Sequence, residues 1–166
     1  MVKTKLSDRG LRLLGGLNEQ GLPSGAGSVG SLECLSIKTC YNVKDDGLYY
    51  ISVSMPRLVV LELWQVRDIT LAGIEHVARI PTLRKLTLFE CRNMTGLWLD
   101  ILSTRPFPLY YLDISQCFQM DSTAVLSIAT GPSLLGLRTL RMVGLRVKDY
   151  VLSFVAKKLT TYPSAR

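Results

Sequence analysis

Four cysteines, a single histidine and a glycine cluster are the groups in this chain that could ligate a metal, attack a carbonyl or cradle a phosphate. Cys34, Cys40, Cys91 and Cys117 form no C-x-x-C pair, so the spacing that structural zinc sites use is missing. Cys40, Cys91 and Cys117 recur at one position of a sequence repeat. There a cysteine serves as a small buried hydrophobe with a weak donor for turn carbonyls, and a structural role is expected for all three. Cys34 stands apart, on a predicted strand. His76 falls on a predicted helix between Ile74 and Val77, and no Ser, Cys or Asp has a context that would set it against this imidazole; it is expected to be an exposed helix residue. Gly25-Ala26-Gly27-Ser28-Val29-Gly30 satisfies G-x-G-x-x-G. A dinucleotide site needs a strand before that motif and a helix after it, whereas here a polar loop precedes and a strand follows. The chain is expected to be no enzyme and to bind no cofactor or metal.

The elements that position these residues follow from the repeat. Leu-x-x-Leu-x-(Leu/Ile/Met) occurs at Leu32/Leu35/Ile37, Leu58/Leu61/Leu63, Leu83/Leu86/Leu88, Leu109/Leu112/Ile114 and Leu137/Leu140/Met142, with starts 26, 25, 26 and 28 residues apart. A fixed period of this size marks a solenoid, whose units bury their apolar edges against one another. Each motif ends in period-two alternation, which predicts a short strand with one buried face. Eight positions after the first leucine stand Cys40, Val66, Cys91, Cys117 and Leu145, followed by Val43, Ile69, Met94, Met120 and Val147, all expected to point inward.

A helix is predicted next in each unit, from apolar residues at Leu48/Ile51, Ile74/Val77/Ala78, Leu97/Ile101/Leu102, Val125/Ile128/Ala129 and Val151/Phe154/Val155. Asp45, Thr70, Thr95, Asp121 and Asp149 precede these stripes and can cap free amides, while Pro56, Pro81, Pro106, Pro108 and Pro132 stop the helices. Leu6 to Leu14 resembles the stretch from Val43 to Leu48 and reads as the helical half of a preceding unit. The whole of 1–166 is thus one domain: a partial repeat 1–17, a glycine-rich loop 18–31, and five repeats at about 32–57, 58–82, 83–108, 109–136 and 137–162.

No run of eighteen apolar residues exists, so no membrane span is expected. The first residues lack a secretory signal and make a poor organellar presequence. Twenty Lys plus Arg against thirteen Asp plus Glu leave a net charge of +7. From Leu137 onward Arg138, Arg141, Arg146, Lys148, Lys157, Lys158 and Arg166 face Asp149 alone, which reads as solvated charge on the last repeat. Nucleic acid is disfavoured, because aromatic platforms are sparse among these cations. Buried thiols outside any C-x-x-C pair suit a reducing compartment, with the cytoplasm favoured and the mitochondrion as the alternative.

The pattern Leu-x-x-Leu-x-Leu-x-x-Cys-x-x-(Ile/Val/Met)-(Thr/Lys/Asp)-Asp-x-Gly-Leu resembles the cysteine-containing subfamily of leucine-rich repeats, seen in F-box-type receptors. Leu32, Leu35, Ile37, Cys40, Val43, Asp45, Gly47 and Leu48 carry it most completely. Departures are Val66 and Leu145 at the cysteine position and the missing Gly-Leu after Cys91 and Cys117. The resemblance implies an α/β fold, a right-handed leucine-rich repeat solenoid with a curved parallel sheet on the concave side and helices on the convex side. It further implies a non-catalytic protein-interaction module. No F-box-like helical module stands before the repeats, so a ligase role is not expected.

Residues between the core leucines should line the concave wall: Cys34/Ser36/Lys38, Val60/Glu62/Trp64, Lys85/Thr87/Phe89, Tyr111/Asp113/Ser115 and Thr139/Arg141/Val143. The partner-binding candidates among them are Lys38, Glu62, Trp64, Lys85, Phe89, Tyr111, Asp113 and Arg141. Trp64 and Phe89 share an offset and should be neighbours, since parallel strands lie about 4.8 Å apart. Glu62, Lys85, Asp113 and Arg141 alternate in sign, which serves either mutual pairing or the register of an acidic or mixed-charge peptide. Neither end is expected to be fully capped by polar residues. The alternative role is therefore a structural subunit or assembly factor of a large complex, a mitochondrial one among the candidates, docked through the solenoid ends and the basic last repeat.

Overall fold

Each leucine triplet becomes a strand, and each strand is followed by a helix. The computed structural model describes residues 6–24 and 29–161. In chain order these contain α1 (Asp8–Leu14), β1 (Cys34–Lys38), α2 (Asp45–Ser54), β2 (Val60–Trp64), α3 (Leu71–Ala78), β3 (Lys85–Phe89), α4 (Gly96–Thr104), β4 (Tyr111–Asp113), α5 (Ser122–Thr130), β5 (Thr139–Arg141) and α6 (Asp149–Thr161). The strands form one parallel sheet in the order β1-β2-β3-β4-β5, with Leu35, Leu61, Leu86, Leu112 and Leu140 in register. The helices pack in the same order, each against the next. This α/β arrangement is consistent with a solenoid-like repeat scaffold.

The core fills the space between sheet and helices with stacked rows of equivalent residues. Leu61, Leu86 and Leu112 form one fully buried row and Leu63, Leu88 and Ile114 another, facing Leu48, Ile51, Ile74, Val77, Leu99, Leu102, Val125 and Ile128 from the helices. Burying each such side chain stabilises the chain by about 1.5–3 kcal/mol. In the last unit the same positions, Leu140, Met142 and Leu145, are only partly buried. They have a neighbouring unit on one side alone among the described residues.

A regular backbone device ends every strand. Thr39, Gln65, Glu90 and Gln116 occupy the left-handed region with φ between 53° and 61°, and Gly144 follows at 80° in the fifth unit. Each sits seven residues after the first leucine of its repeat, and the reversal it makes swings the following Cys40, Val66, Cys91 or Cys117 into the core. For a residue with a Cβ this conformation costs about 1–2 kcal/mol. The amides of Thr39, Gln65, Glu90 and Gln116 donate to Trp64, Phe89, Ser115 and Val143 carbonyls at 2.8–3.0 Å, which offsets the cost by extending the ladder past the strands.

At the helix starts the structure corrects part of the sequence reading. Thr70 and Asp121 cap as expected, accepting from the Ala72 and Ala124 amides. Thr95 holds the cap position without a side-chain bond, and Asp45 and Asp149 are first-turn residues. The Asp45 carboxylate turns sideways to the next unit instead, as does Asp8, which accepts from the Lys44 amide at 2.8 Å. A Cβ on Gly47 or Gly73 would collide with the Asp8 or Asp45 carboxylate. The Asp and Gly of the motif are thus partners across adjacent units.

Two helix stripes also differ from expectation. Leu97, expected inside, is 59% exposed, while Trp98 at 3% and Leu99 are buried. The repeat frame places Leu99 at the position of Leu48 and Ile74, so three-to-four spacing counted from Leu97 picked the adjoining stripe. Phe154 is exposed beside buried Val151 and Val155, because α6 has only α5 as a helical neighbour among the described residues. The prolines follow the helices as expected. Residues 25–28 of the glycine motif lie outside the described residues, as do 1–5 of the partial repeat and Arg166 at the basic end. No helix of the described chain is long and apolar enough to cross a membrane.

Candidate partner-binding surface

Strand alternation puts every second residue on the sheet face away from the helices, and the parallel register sorts these into rows. One row runs Lys38, Trp64, Phe89; the middle one runs Ser36, Glu62, Thr87, Asp113, Arg141; the third runs Cys34, Val60, Lys85, Tyr111, Thr139. All eight candidate contact residues therefore share this face. Ser115 and Val143 do not join it. β4 and β5 end before them, Ser115 is buried with its Oγ accepting from the Val143 amide at 3.0 Å, and Val143 lies exposed past the strand.

Aromatic and cationic groups interleave on the face. The Trp64 and Phe89 rings stand 4.7 Å apart at 35°. The Lys38 ammonium lies 4.8 Å from the Trp64 ring centroid, and the Lys85 ammonium 4.7 Å from that of Tyr111. Trp64 Nε1 is buried with no acceptor among the described residues. A buried donor without a partner costs on the order of 1–3 kcal/mol, an expense that single chains seldom retain.

The charged residues pair with each other. Lys85 Nζ lies 3.5 Å from Glu62, and Arg141 Nε lies 3.4 Å from Asp113. Asp113 is buried and also accepts from the Ser115 amide at 2.9 Å, so it braces the end of β4 as well as facing Arg141. The more exposed Lys85–Glu62 pair contributes about 0–1 kcal/mol and fixes side-chain orientation more than stability.

Beside the Lys38 row runs a polar ladder that the sequence did not announce. Thr39 Oγ1 donates to Gln65 Oε1 at 3.4 Å, Gln65 Nε2 donates to Glu90 Oε2 at 2.6 Å, and Glu90 pairs with Arg92 at 3.6 Å. Its only trace in the sequence is a column of polar residues seven places after the first leucine of the first four repeats.

The thiols behave as structural groups. Cys40, Cys91 and Cys117 are buried and carry no disulfide, and each directs its thiol at a carbonyl: Lys38 for Cys40 at 3.3 Å, Leu63 and Phe89 for Cys91 at 3.8 Å, and Leu88 for Cys117 at 2.9 Å. A hydrogen bond between the Cys91 and Cys117 side chains, reinforced by burial, pushes the Cys91 thiol up. Cys34 is exposed. His76 is half-buried, its ring 5.2 Å edge-on to Tyr49, rather than the exposed residue expected. Among the described residues no group of His, Cys, Asp and Glu gathers as a metal would require.

Elsewhere the cations have local roles. Arg138 lies over Tyr110 and Lys158 over Phe154, so the basic last repeat is not a single free patch. Arg105 was not singled out from sequence, yet it is 4% exposed, and its guanidinium donates to the Ala78, Ile80 and Leu83 carbonyls at 3.4, 2.7 and 3.2 Å. Burial, and then the nearby Arg84, pulls its pKa down to about 10. It remains a cation at neutral pH and closes the C-terminal turn of α3. When the chain is compared with known proteins, no family model matches it, and no curated protein matches it.

Proposed function

We propose that this chain is a leucine-rich repeat protein of the cysteine-containing subfamily, a right-handed solenoid whose sheet is its concave wall, and that it binds a protein partner there without catalysis. The observation that carries the reading is the Trp64–Phe89 pair on the open sheet face, with a buried indole N–H that nothing among the described residues satisfies. Aromatic anchors flanked by lysines are the composition of interface hot spots. The ion pairs Lys85–Glu62 and Arg141–Asp113 supply a polar rim that fixes orientation. Three buried thiols without disulfides favour a reducing compartment, the cytoplasm before the mitochondrion.

The test is capture of partners from a native lysate by the tagged chain and by Trp64→Ala/Phe89→Ala, both first checked for folding. A partner retained by the wild type and lost by the variant is the expected result. A second reading, a structural subunit or assembly factor of a larger complex, is favoured by the partly buried Leu140, Met142 and Leu145 of the last unit. A large assembly retained by both proteins would decide for it.

A further inference from the structure

Trp64 lies between its two register partners, with the Lys38 ammonium over its ring and the Phe89 ring beside it. Two groups of this row have no matching partner in the described chain. Trp64 Nε1 donates to nothing. Lys38 faces no carboxylate, whereas Lys85 and Arg141 on the same face each hold one. The acidic group of the adjoining ladder, Glu90, is engaged by Gln65 and Arg92. Both unpartnered groups are donors, the indole N–H buried and the other a cation, so their complement is an anionic acceptor.

We propose, resting on the protein-recognition reading, that the Lys38–Trp64–Phe89 row takes an acidic side chain presented by an extended segment of a protein partner. The carboxylate pairs with the Lys38 ammonium and draws it off the indole. An oxygen of the same carboxylate, or a neighbouring main-chain carbonyl, then accepts from Nε1, and the methylenes of the acidic side chain lie on Phe89. Charge-assisted bonds of this kind are about twice as strong as neutral ones. A nucleic-acid strand fits less well. Stacking needs a free ring face, while Trp64 is flanked on both sides and the rows alongside carry Glu62, Asp113 and Glu90.

The indole N–H signals of Trp64 and Trp98 in a nitrogen-15 correlation spectrum report the event directly, with Trp64→Phe assigning the first and buried Trp98 as internal reference. Oligoglutamate is the probe, with oligolysine and oligothymidylate as comparisons. Oligoglutamate is expected to move the Trp64 signal and leave Trp98 in place, and Lys38→Gln to weaken that response about tenfold. Lys158→Gln, on the far helix, should leave it unchanged. A response that survives Lys38→Gln, one that oligothymidylate produces more strongly, or none at all would overturn the acidic-segment inference. If the Trp64 signal is silent while the Trp64→Ala/Phe89→Ala pair still abolishes partner capture, the recognition reading stands and this inference alone falls.

Discussion

Asp45 accepts from Thr70 twice, from its amide at 2.8 Å and from its hydroxyl at 2.6 Å, and so ties the start of α2 to the start of α3. Removing that carboxylate leaves a helix cap unsupported. Asp45→Ala is expected to destabilise the chain by about 1–2 kcal/mol, read as a lower urea midpoint at constant slope. Gly73→Ala should cost a comparable amount, since its Cβ meets the same carboxylate. Two unchanged midpoints would show the tie to be dispensable.

Asp8 gives the pH dependence. Burial lifts its carboxyl above the ordinary 3.8, against the Lys44 and Gly47 amides that lower it. A carboxyl whose pKa is higher folded than unfolded binds its proton more tightly in the folded chain. Its contribution therefore favours folding at low pH and is lost as pH rises from 3.8 through the raised value. Asp8→Asn should remove this component and flatten the stability profile in that acid window. Denaturation midpoints across a pH series would refute the assignment if the two profiles run parallel.

Arg105 is a buried cation held by three carbonyls and, among the described residues, no carboxylate. Arg105→Ala would take one donor from each of those carbonyls, leaving Ile80 with the Leu83 amide and Leu83 with Arg84, and open a void, at a cost of about 2–4 kcal/mol. Arg105→Lys should recover only part of this, because an ammonium does not span the same fork. Calorimetric melting of the three proteins checks the order. Equal melting of the alanine variant and wild type would mean the guanidinium is replaceable by water.

On the open face, stability and binding should part company. Trp64→Phe removes a buried donor that has no acceptor while keeping a ring against Phe89, so the free chain is expected to gain up to about 1 kcal/mol. Partner capture should fall at the same time. A Trp64→Phe chain that melts lower than wild type would argue that Nε1 is satisfied in solution.

Thiol accessibility tests the role of the cysteines. Under native conditions a thiol reagent should modify Cys34 quickly and spare Cys40, Cys91 and Cys117, which react only on unfolding. Rapid native labelling of Cys117, mapped by peptide mass, would contradict its burial.

The strands, their register and the face that carries Trp64 and Phe89 were legible in the sequence because period and residue type recur together. Leu61 and Leu86 need no knowledge of the rest of the chain to be recognised as equivalents. What escaped was set by contacts between units. Arg105 is a surface residue by composition, and only the three carbonyls from α3 and the turn after it make a buried site for it. Asp45 looked like a cap for its own helix, since its reach to Thr70 depends on how far apart α2 and α3 lie. The left-handed column at Thr39, Gln65, Glu90 and Gln116 was hidden because its residues are not glycine, and a sequence marks that conformation clearly only at Gly144. Leu97 was misplaced by counting within one helix where the repeat frame would have decided for Leu99.

Stacking units that touch only their neighbours gives the molecule a polarity in how it comes apart. The last residue of the leucine triplet is sealed at Ile37, Leu63, Leu88 and Ile114 and half open at Met142 after the fifth strand. Unravelling should therefore begin at β5 and α6 and travel backward, with amide exchange quickest at Leu140 and slowest at Leu61 and Leu86. A partner gripping the second and third strands would clamp the slowest part of this zipper, and its own residence time would then be uncoupled from the breathing of the loose end.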